Sequence, residues 1–113
     1  MLLVYGLKNC DTCRKATKWL DAEGISHAFI DVRKDGIDSD LVSKWIDAVG
    51  WETLLNRKST TWRGLPDLVK TDVDKTSALK LLVENPTLIK RPVFDRDNSI
   101  SVGFKDADKA QFN

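Results

Sequence analysis

The stretch LLVYGLKNCDTCRKATKWL (residues 2–20) decides how the chain begins to fold and holds both of its cysteines. Its first four residues are apolar and are followed shortly by Gly6, which is typical of a short buried strand. From about Asp11 the spacing of apolar residues predicts a helix. Cys10 and Cys13 therefore fall at the turn where a strand passes into a helix.

The rest of the chain shows the pattern of a mixed α/β protein. After the first helix, Gly24 is a suitable C-terminal cap. The next predicted elements are a strand at 28–32 and helices that begin after 38 and after 74. Between these two helices we predict a helical turn at 51–55 and a polar loop at 56–63. The last predicted elements are a hairpin with strands at 91–94 and 100–104 and a short helix at 106–112. A βαβ unit followed by ββα is the thioredoxin-like arrangement. We therefore predict a thioredoxin-like fold with an inserted helical region.

The chain is predicted to be a single domain whose core is interrupted by the insertion. With 113 residues, it is long enough to bury roughly two-thirds of the surface that its unfolded chain exposes. We assign residues 1–33 and 87–113 to the thioredoxin-like core and residues 34–86 to the helical insertion.

Composition and charge narrow the class of protein. The chain is 42% hydrophobic and 31% charged, with a formal net charge of +1. It therefore lacks the basic excess that accompanies nucleic-acid binding. Its apolar runs are shorter than the ~20 residues that a membrane span needs, and its start lacks the pattern of a signal peptide. We expect a cytoplasmic protein without nucleic-acid or membrane partners, in a compartment where thiols stay reduced.

The close pair of cysteines admits three interpretations. A structural zinc ion needs four nitrogen or sulfur ligands, whereas the chain has two cysteines and one distant histidine, His27, so we expect no metal. Plain packing suits Cys13, which lies on the apolar face of the helix. It suits Cys10 less well, because this residue stands between Asn9 and Asp11. The third interpretation is a reactive thiol pair with Cys10 as the nucleophile.

A physical mechanism favours the reactive pair. Cys10 stands at the first turn of a helix, where unpaired backbone N–H groups and the positive end of the helix dipole stabilise a thiolate. Lys8, Arg14 and Lys15 add positive charge nearby. We therefore expect the pKa of Cys10 to lie below that of a free cysteine. Cys13, one helical turn further on, is placed to act as a resolving thiol.

A second motif, IKRPVF (residues 89–94), has the composition of a strand but contains a proline. In thioredoxin-like folds a cis-proline precedes the third strand and faces the reactive cysteine, and Pro92 suits that position. Arg91 would then hold a guanidinium group beside the sulfur, suited to an oxyanion or to a carboxylate of glutathione. The alternative is a proline that blunts an edge strand next to two solvated bases, Lys90 and Arg91.

Three stretches together resemble a known family: CDTCRKA (residues 10–16), LLNRKSTTWR (54–63) and LIKRPVF (88–94). The chain resembles the arsenate reductase (ArsC) family and, within the ArsC/Spx group, its small YffB-like branch. The resemblance implies a thioredoxin-like fold with an ArsC-type helical insertion. It also implies a nucleophilic Cys10, a functional Arg91 and a cis-proline at Pro92. Members of the YffB-like branch are regarded as glutathione-dependent thiol reductases, which implies glutathione as the co-substrate.

The match to arsenate reductases themselves has two departures. Those enzymes have a single essential cysteine in the loop and surround it with three arginines, whereas this chain has two cysteines. Arg91 matches one of the three arginines, and Arg57 lies next to the second position. The third position falls within residues 102–104, which hold no arginine. Lys105 follows them, but a lysine lacks the bidentate fork of a guanidinium group.

The same resemblance supplies a regulatory alternative. Spx-type regulators share the CxxC motif and the basic residues after it, sense oxidation by forming the disulfide, and act by binding RNA polymerase. The insertion holds Trp45, Trp51 and Trp62. These either offer a surface to such a partner or pack within the fold, as we expect of Trp45 and Trp51. Trp62 either covers a bound glutathione or anchors its loop.

The sequence therefore predicts a glutathione-dependent thiol–disulfide oxidoreductase with a mixed-disulfide intermediate and no tightly bound cofactor. The predicted catalytic residues are Cys10, Cys13 and Arg91, and the predicted substrate is an oxidised thiol or an oxyanion. The residues predicted to bind glutathione or substrate are Lys8, Asn9, Arg14, Arg57, Lys90, Pro92 and Lys105. Redox sensing through RNA polymerase and arsenate reduction are the alternative functions.

Overall fold

The computed structural model describes residues 2–105 and 109, and its strands form one four-stranded sheet. The strands are β1 (Leu2–Gly6), β2 (His27–Asp31), β3 (Val93–Arg96) and β4 (Ser99–Val102), in the spatial order β2-β1-β3-β4. β1 is parallel to β2 and antiparallel to β3, which is antiparallel to β4. Helix α1 (Asp11–Ala22) joins β1 to β2. This order confirms the thioredoxin-like α/β fold, while the helix predicted at 106–112 lies, except for Lys109, outside the described residues.

The chain divides into two compact units: Met1–Asp35 with Arg91–Asn113, and Gly36–Lys90. The first unit holds the sheet and α1, and the second holds the inserted helices. Residues 87–90, which the sequence prediction gave to the core, belong to the second unit. The Lys90 N–H donates to the Leu54 carbonyl at 2.8 Å, and Ile89 forms an isolated antiparallel bridge with Leu55.

Helix α1 forms because its sequence suits both of its ends and buries one face. Cys10 is the N-cap residue, with an extended backbone, and Asp11 places a negative charge at the positive end of the helix dipole. The buried residues of the helix are Cys13, Ala16 and Leu20. They recur at intervals of three and four, which gives a single apolar face. Gly24, with a φ angle of 69°, supplies the left-handed conformation in which the chain leaves the helix.

The core of the first unit lies between α1 and the sheet. The cluster consists of Leu2, Val4, Ala16, Leu20 and Phe94, with Trp19, Ile25, Phe29 and Phe104 packed against it. Trp19 meets Phe104 edge to face, with 5.8 Å between ring centroids. Leu20 is fully buried, and truncating such a leucine to alanine costs about 2–5 kcal/mol. This packing fixes α1, and with it both cysteines, on the sheet.

The hairpin of β3 and β4 turns at Asp97 and Asn98. Their φ angles are 51° and 74°, as in the two-residue turns whose twist suits antiparallel strands. The Asp95 carboxylate accepts a hydrogen bond from the Asn98 N–H at 2.9 Å. The turn is therefore shorter than the five-residue turn that we expected. β3 begins only after Pro92, which has no N–H to donate to the sheet.

The second unit is helical. Its elements are α2 (Ser39–Val49), α3 (Trp51–Leu54), α4 (Thr60–Arg63), α5 (Asp67–Lys70), α6 (Lys75–Glu84) and a 3₁₀ turn (Pro86–Leu88). α2 packs on α6, and Trp45 is fully buried, as predicted. The loop predicted at 56–63 contains α4, because the Ser59 hydroxyl accepts a hydrogen bond from the Trp62 N–H at 3.1 Å and starts a helical turn. None of the helices within the described residues has the length and apolar character to cross a membrane.

Asp31, the last residue of β2, anchors the loop that precedes Cys10. One of its carboxylate oxygens accepts hydrogen bonds from the N–H groups of Arg33 and Lys34, both at 2.9 Å. The other oxygen accepts one from the Lys8 N–H at 3.4 Å. These donors, led by the Lys34 N–H, lower the pKa of the Asp31 carboxyl. The end of β2 is thereby tied to the backbone of the cysteine loop.

Replacing Asp31 with asparagine tests this anchor, because asparagine keeps an acceptor oxygen but loses the charge. At pH 7 we expect the Asp31→Asn variant to melt at a lower temperature than the wild type. A depressed folded-state pKa stabilises the protein above the unfolded pKa of about 3.9, and this stability is lost as the pH falls through the folded value. The difference in melting temperature should therefore shrink below about pH 4. A difference that stays constant in acid would show that the charge takes no part in the anchor.

Candidate functional site

Cys10 lies at the N-terminal end of α1, half-buried and reduced. Partial burial on its own raises the pKa of its thiol. Hydrogen bonds from the backbone N–H and the thiol of Cys13, together with a hydrogen bond and the positive charge of Arg91, outweigh burial and hold the pKa of Cys10 below its ordinary value. Because the thiolate is the nucleophilic form of cysteine, this environment prepares Cys10 for attack.

Cys13 has the opposite character. Its side chain is buried, and burial raises the pKa of its thiol to about 12, although a hydrogen bond from the Leu7 N–H to the sulfur opposes the shift. The charge of Cys10 raises the pKa of Cys13 further. Cys13 is therefore a neutral thiol at pH 7, able to donate a hydrogen bond to the sulfur of Cys10. The two cysteines form an unequal pair.

Arg91 reaches Cys10 from the segment that leads into β3. Its side chain is half-buried and donates a hydrogen bond to the Cys10 sulfur. The peptide bond between Arg91 and Pro92 is cis, as the family resemblance implied, and Pro92 is buried. The Pro92 carbonyl accepts a hydrogen bond from the Gly103 N–H at 2.9 Å, which ties this segment to the end of β4. The guanidinium group of Arg91 is thus held where it can also meet an anionic group bound at Cys10.

Lys8, Asn9 and Arg14 are exposed on the cysteine loop and the first turn of α1. The Arg14 Nε–H donates to the Lys8 carbonyl at 3.0 Å, and Nη1 of Arg14 lies 3.6 Å from the Asp11 carboxylate. Arg14 therefore braces the loop. We predicted that Lys8, Arg14 and Lys15 would lower the pKa of Cys10, whereas the groups that lead this effect are Cys13 and Arg91.

The remaining predicted binding residues lie in both units. The guanidinium carbon of Arg57, in the second unit, lies 5.6 Å from the ring centroid of Trp51 and 6.0 Å from that of Trp62, so both indole rings hold it. Lys90, also in the second unit, and Lys105, in the first, have exposed side chains. The predicted residues that the structure brings together around the Cys10 sulfur are Cys13 and Arg91, and Pro92 follows Arg91 through the cis peptide bond. Within residues 2–105 and 109, no group of three or more His, Cys, Asp or Glu side chains is placed to hold a metal ion.

The sequence prediction missed three residues of the site. Leu7 donates its N–H to the Cys13 sulfur, and Asp31 holds the backbone of Lys8. A Cβ atom built on Gly6 would lie 2.5 Å from the Cys13 sulfur. Backbone donors such as Leu7 leave no signal in a sequence. Gly6 carried the one available signal, because a glycine in a strand often marks a close approach of other atoms.

The sequence model of the ArsC family matches residues 5–112. The chain belongs to the ArsC family. An uncharacterized protein of Haemophilus influenzae is 48% identical to this ArsC-family chain over 106 residues, which cover 94% of the chain and 93% of that protein.

A solved structure and a regulator place the chain within the family. The structure of the YFFB protein matches with a TM-score of 0.93 and 39% identity, over 98% of this chain and 97% of that one. Global transcriptional regulator Spx 2 of Bacillus anthracis is 22% identical over 114 residues, which cover 99% of this chain and 86% of the regulator. The protein is thus a member of the ArsC/Spx family and of its YffB-like branch, with the ArsC-type thioredoxin-like fold.

The role of Arg91 can be tested by alkylation of Cys10 with iodoacetamide over a range of pH. Arg91→Met removes a positive charge and a hydrogen bond from the thiolate, so the pKa of Cys10 should rise. The rate at pH 7 should fall by about tenfold or more, the effect of one hydrogen bond to a charged group. Arg91→Lys should keep part of the wild-type rate. Arg96→Met, at the exposed end of β3, is the matched control, and an Arg91→Met profile that superposes on the wild type would refute the role.

Proposed function

We propose that this protein is a glutathione-dependent thiol–disulfide oxidoreductase that acts in the cytoplasm. The observation that carries the proposal is the unequal thiol pair, in which the pKa of Cys10 is lowered while the pKa of Cys13 is raised and its thiol stays a hydrogen-bond donor. Membership of the ArsC family supports a thiol-dependent reductase. The cytoplasm supplies glutathione and keeps thiols reduced, as such a cycle requires.

The proposed cycle has two exchange steps on a substrate that carries glutathione in a mixed disulfide. The Cys10 thiolate attacks the glutathione sulfur, the substrate S–S bond breaks, and the substrate leaves as a thiolate that takes up a proton. A second glutathione, as its thiolate, attacks the glutathione sulfur bound to Cys10. Oxidised glutathione leaves, and the Cys10 thiolate returns. Overall, the second glutathione is oxidised from a thiol to one half of a disulfide. The substrate sulfur is reduced from a disulfide to a thiol and gains the proton that the second glutathione gave up.

Arg91 acts in both steps of this proposal. It stabilises the Cys10 thiolate as the attacking group and again as the leaving group, and its guanidinium can pair with a carboxylate of glutathione. The further residues proposed to contact glutathione or the substrate are Lys8, Asn9, Arg14, Pro92 and Lys105 of the first unit. Cys13, with a pKa of about 12, is a poor nucleophile at pH 7, so glutathione is the proposed resolving thiol.

Serine substitutions at the two cysteines test this cycle. The assay follows oxidised glutathione, through glutathione reductase and NADPH, with the mixed disulfide of glutathione and 2-mercaptoethanol as the substrate. Cys10→Ser should abolish turnover, because the nucleophile is lost. Cys13→Ser should lose no more than about tenfold, because only one hydrogen bond to the thiolate changes. A Cys10→Ser protein that turns over at the wild-type rate, or an inactive wild type, would contradict the proposed function.

A redox-sensing regulator is the second candidate. Similarity to Spx 2 over 99% of the chain supports it, as does the CxxC motif. In the second unit, Leu68 is 90% exposed beside the exposed Val69, and apolar surface of this kind often meets a partner.

A pull-down with bacterial RNA polymerase separates the two candidates. Under the oxidoreductase proposal, neither the reduced nor the oxidised protein is retained by the polymerase. Retention of the oxidised form alone, without glutathione-linked turnover, would replace the proposal with the regulatory function. Val69→Asp, placed on the exposed surface, would then be expected to weaken retention without altering alkylation of Cys10.

Arsenate reduction is the third candidate. A tetrahedral oxyanion is best held by several guanidinium groups. Arg91 provides one beside Cys10, and residues 102–104, where the family has another, contain no arginine. We therefore propose oxidised thiols rather than arsenate as the substrates. Arsenate in place of the disulfide should give no oxidation of NADPH in the same coupled assay.

A further inference from the structure

The Cys13 sulfur lies against the backbone of Gly6, in the space that a side chain would occupy. A Cβ atom on Gly6 would lie 2.5 Å from that sulfur, closer than real Cβ contacts come. The next nearest atoms, Cβ of Cys13 and Cε2 of Phe29, are both 3.4 Å from the same point. Of the three atoms nearest to this point, only the sulfur would clash severely with a side chain at position 6.

The backbone of Gly6 does not itself require glycine. The residue is the last one of β1 and pairs with Asp31 of the parallel strand β2. An L-residue fits such a strand conformation, so the need for glycine comes from the neighbouring sulfur. A Cβ atom here is fixed to a paired strand, whereas the Cys13 sulfur turns about one side-chain bond. Any side chain at position 6 would therefore displace the sulfur.

The place of the sulfur matters because it lies within a chain of hydrogen bonds. The Leu7 N–H donates to the Cys13 sulfur, and the Cys13 thiol in turn donates to the Cys10 sulfur. The same neighbourhood excludes water from Cys13, which is 1% exposed. A displaced sulfur would lose the first donor and turn away from Cys10.

We propose that Gly6 is a positioning residue of the thiol site: its missing side chain leaves the space from which the Cys13 thiol donates to Cys10. The inference rests on the proposed function for its effect on turnover, but its structural content concerns the thiol pair alone. Gly6 touches neither the substrate nor the reacting sulfur, and it acts through Cys13. The position of the Cys13 sulfur therefore requires a glycine at position 6.

Three variants, Gly6→Ala, Cys13→Ala and the double variant, test the proposal by iodoacetamide alkylation of Cys10 across pH. Gly6→Ala should slow alkylation at pH 7 by about threefold to tenfold, as Cys13→Ala should, because both remove the same hydrogen bond. In the double variant the two effects should not add, since the sulfur that Gly6 accommodates is already gone. The other charged groups near Cys10, which are Arg91, Lys8, Asp11 and Arg14, stay unchanged in all three variants.

Gly64→Ala is the matched control. A Cβ atom on Gly64 would meet only the carbonyl oxygens of Thr60 and Thr61, at 3.6 and 3.7 Å, among its nearest atoms, which is ordinary contact. This substitution should leave the pH profile of Cys10 unchanged. A general effect of replacing glycine by alanine would appear here as well as at Gly6.

The proposal would be overturned if the pH profile of Cys10 alkylation were the same in Gly6→Ala as in the wild type. It would also be overturned if Gly6→Ala shifted that profile by the same amount with and without the Cys13 sulfur. If Gly6→Ala does not fold, Cys13→Ala should restore folding, because alanine at position 6 then has room; failure to restore it would equally overturn the proposal. Alkylation needs no glutathione. An inactive wild type would therefore refute the proposed function while leaving this result to decide the role of Gly6.

Discussion

The contact between the end of β1 and the first turn of α1 determines what the two cysteines can do. The Cys13 sulfur lies against Gly6, accepts the N–H of Leu7 and faces Cys10. Packing of Leu20 and Ala16 into the core holds the helix that carries Cys13, and the Asp31 carboxylate holds the loop that precedes Cys10. The chemistry of the site therefore depends on a strand and a helix that are brought into contact by the hydrophobic core.

One environment produces opposite shifts in two neighbouring thiols. Burial raises the pKa of both, because removing water disfavours the charged form. Cys10 is less deeply buried and receives donors from Cys13 and the positive charge of Arg91, which together outweigh the loss of water. Cys13 receives one donor, from Leu7, and faces the negative charge of Cys10. The difference between attacking thiolate and neutral partner thus follows from which sulfur has the donors.

Much of the architecture was predictable from local patterns. The apolar run before Gly6, the period of Cys13, Ala16 and Leu20, and the capping aspartate before α2 are signals that a short window contains. The helical turn at Thr60–Arg63 was not predicted, because its residues favour loops and a single cap from Ser59 starts it. The strands of the hairpin lie at 93–96 and 99–102 rather than at the predicted 91–94 and 100–104. The reason is that two residues with left-handed backbones make a tighter turn than the polar stretch suggested.

The placement of Arg91 beside Cys10 was predictable from the sequence, whereas the contacts that set the pKa values of the two thiols were less so. The family resemblance implied Cys10, Arg91 and the cis bond before Pro92, and the structure brings these together. The sequence placed Lys8 and Arg14 near the thiol by their spacing, but spacing does not show that Arg14 turns to the carbonyl of Lys8. The contacts of Gly6, Leu7 and Asp31 join separate segments or backbone atoms, and only the fold creates them.

The most direct test of this account is the pH dependence of alkylation at each cysteine of the wild-type protein, separated by peptide mapping. Cys10 should react with a pKa below the value of about 8.5 for a free thiol, while Cys13 stays protected until far more alkaline pH. Equal rates at the two cysteines, or a Cys10 profile centred at about 8.5 or higher, would contradict the unequal pair on which the proposed function depends.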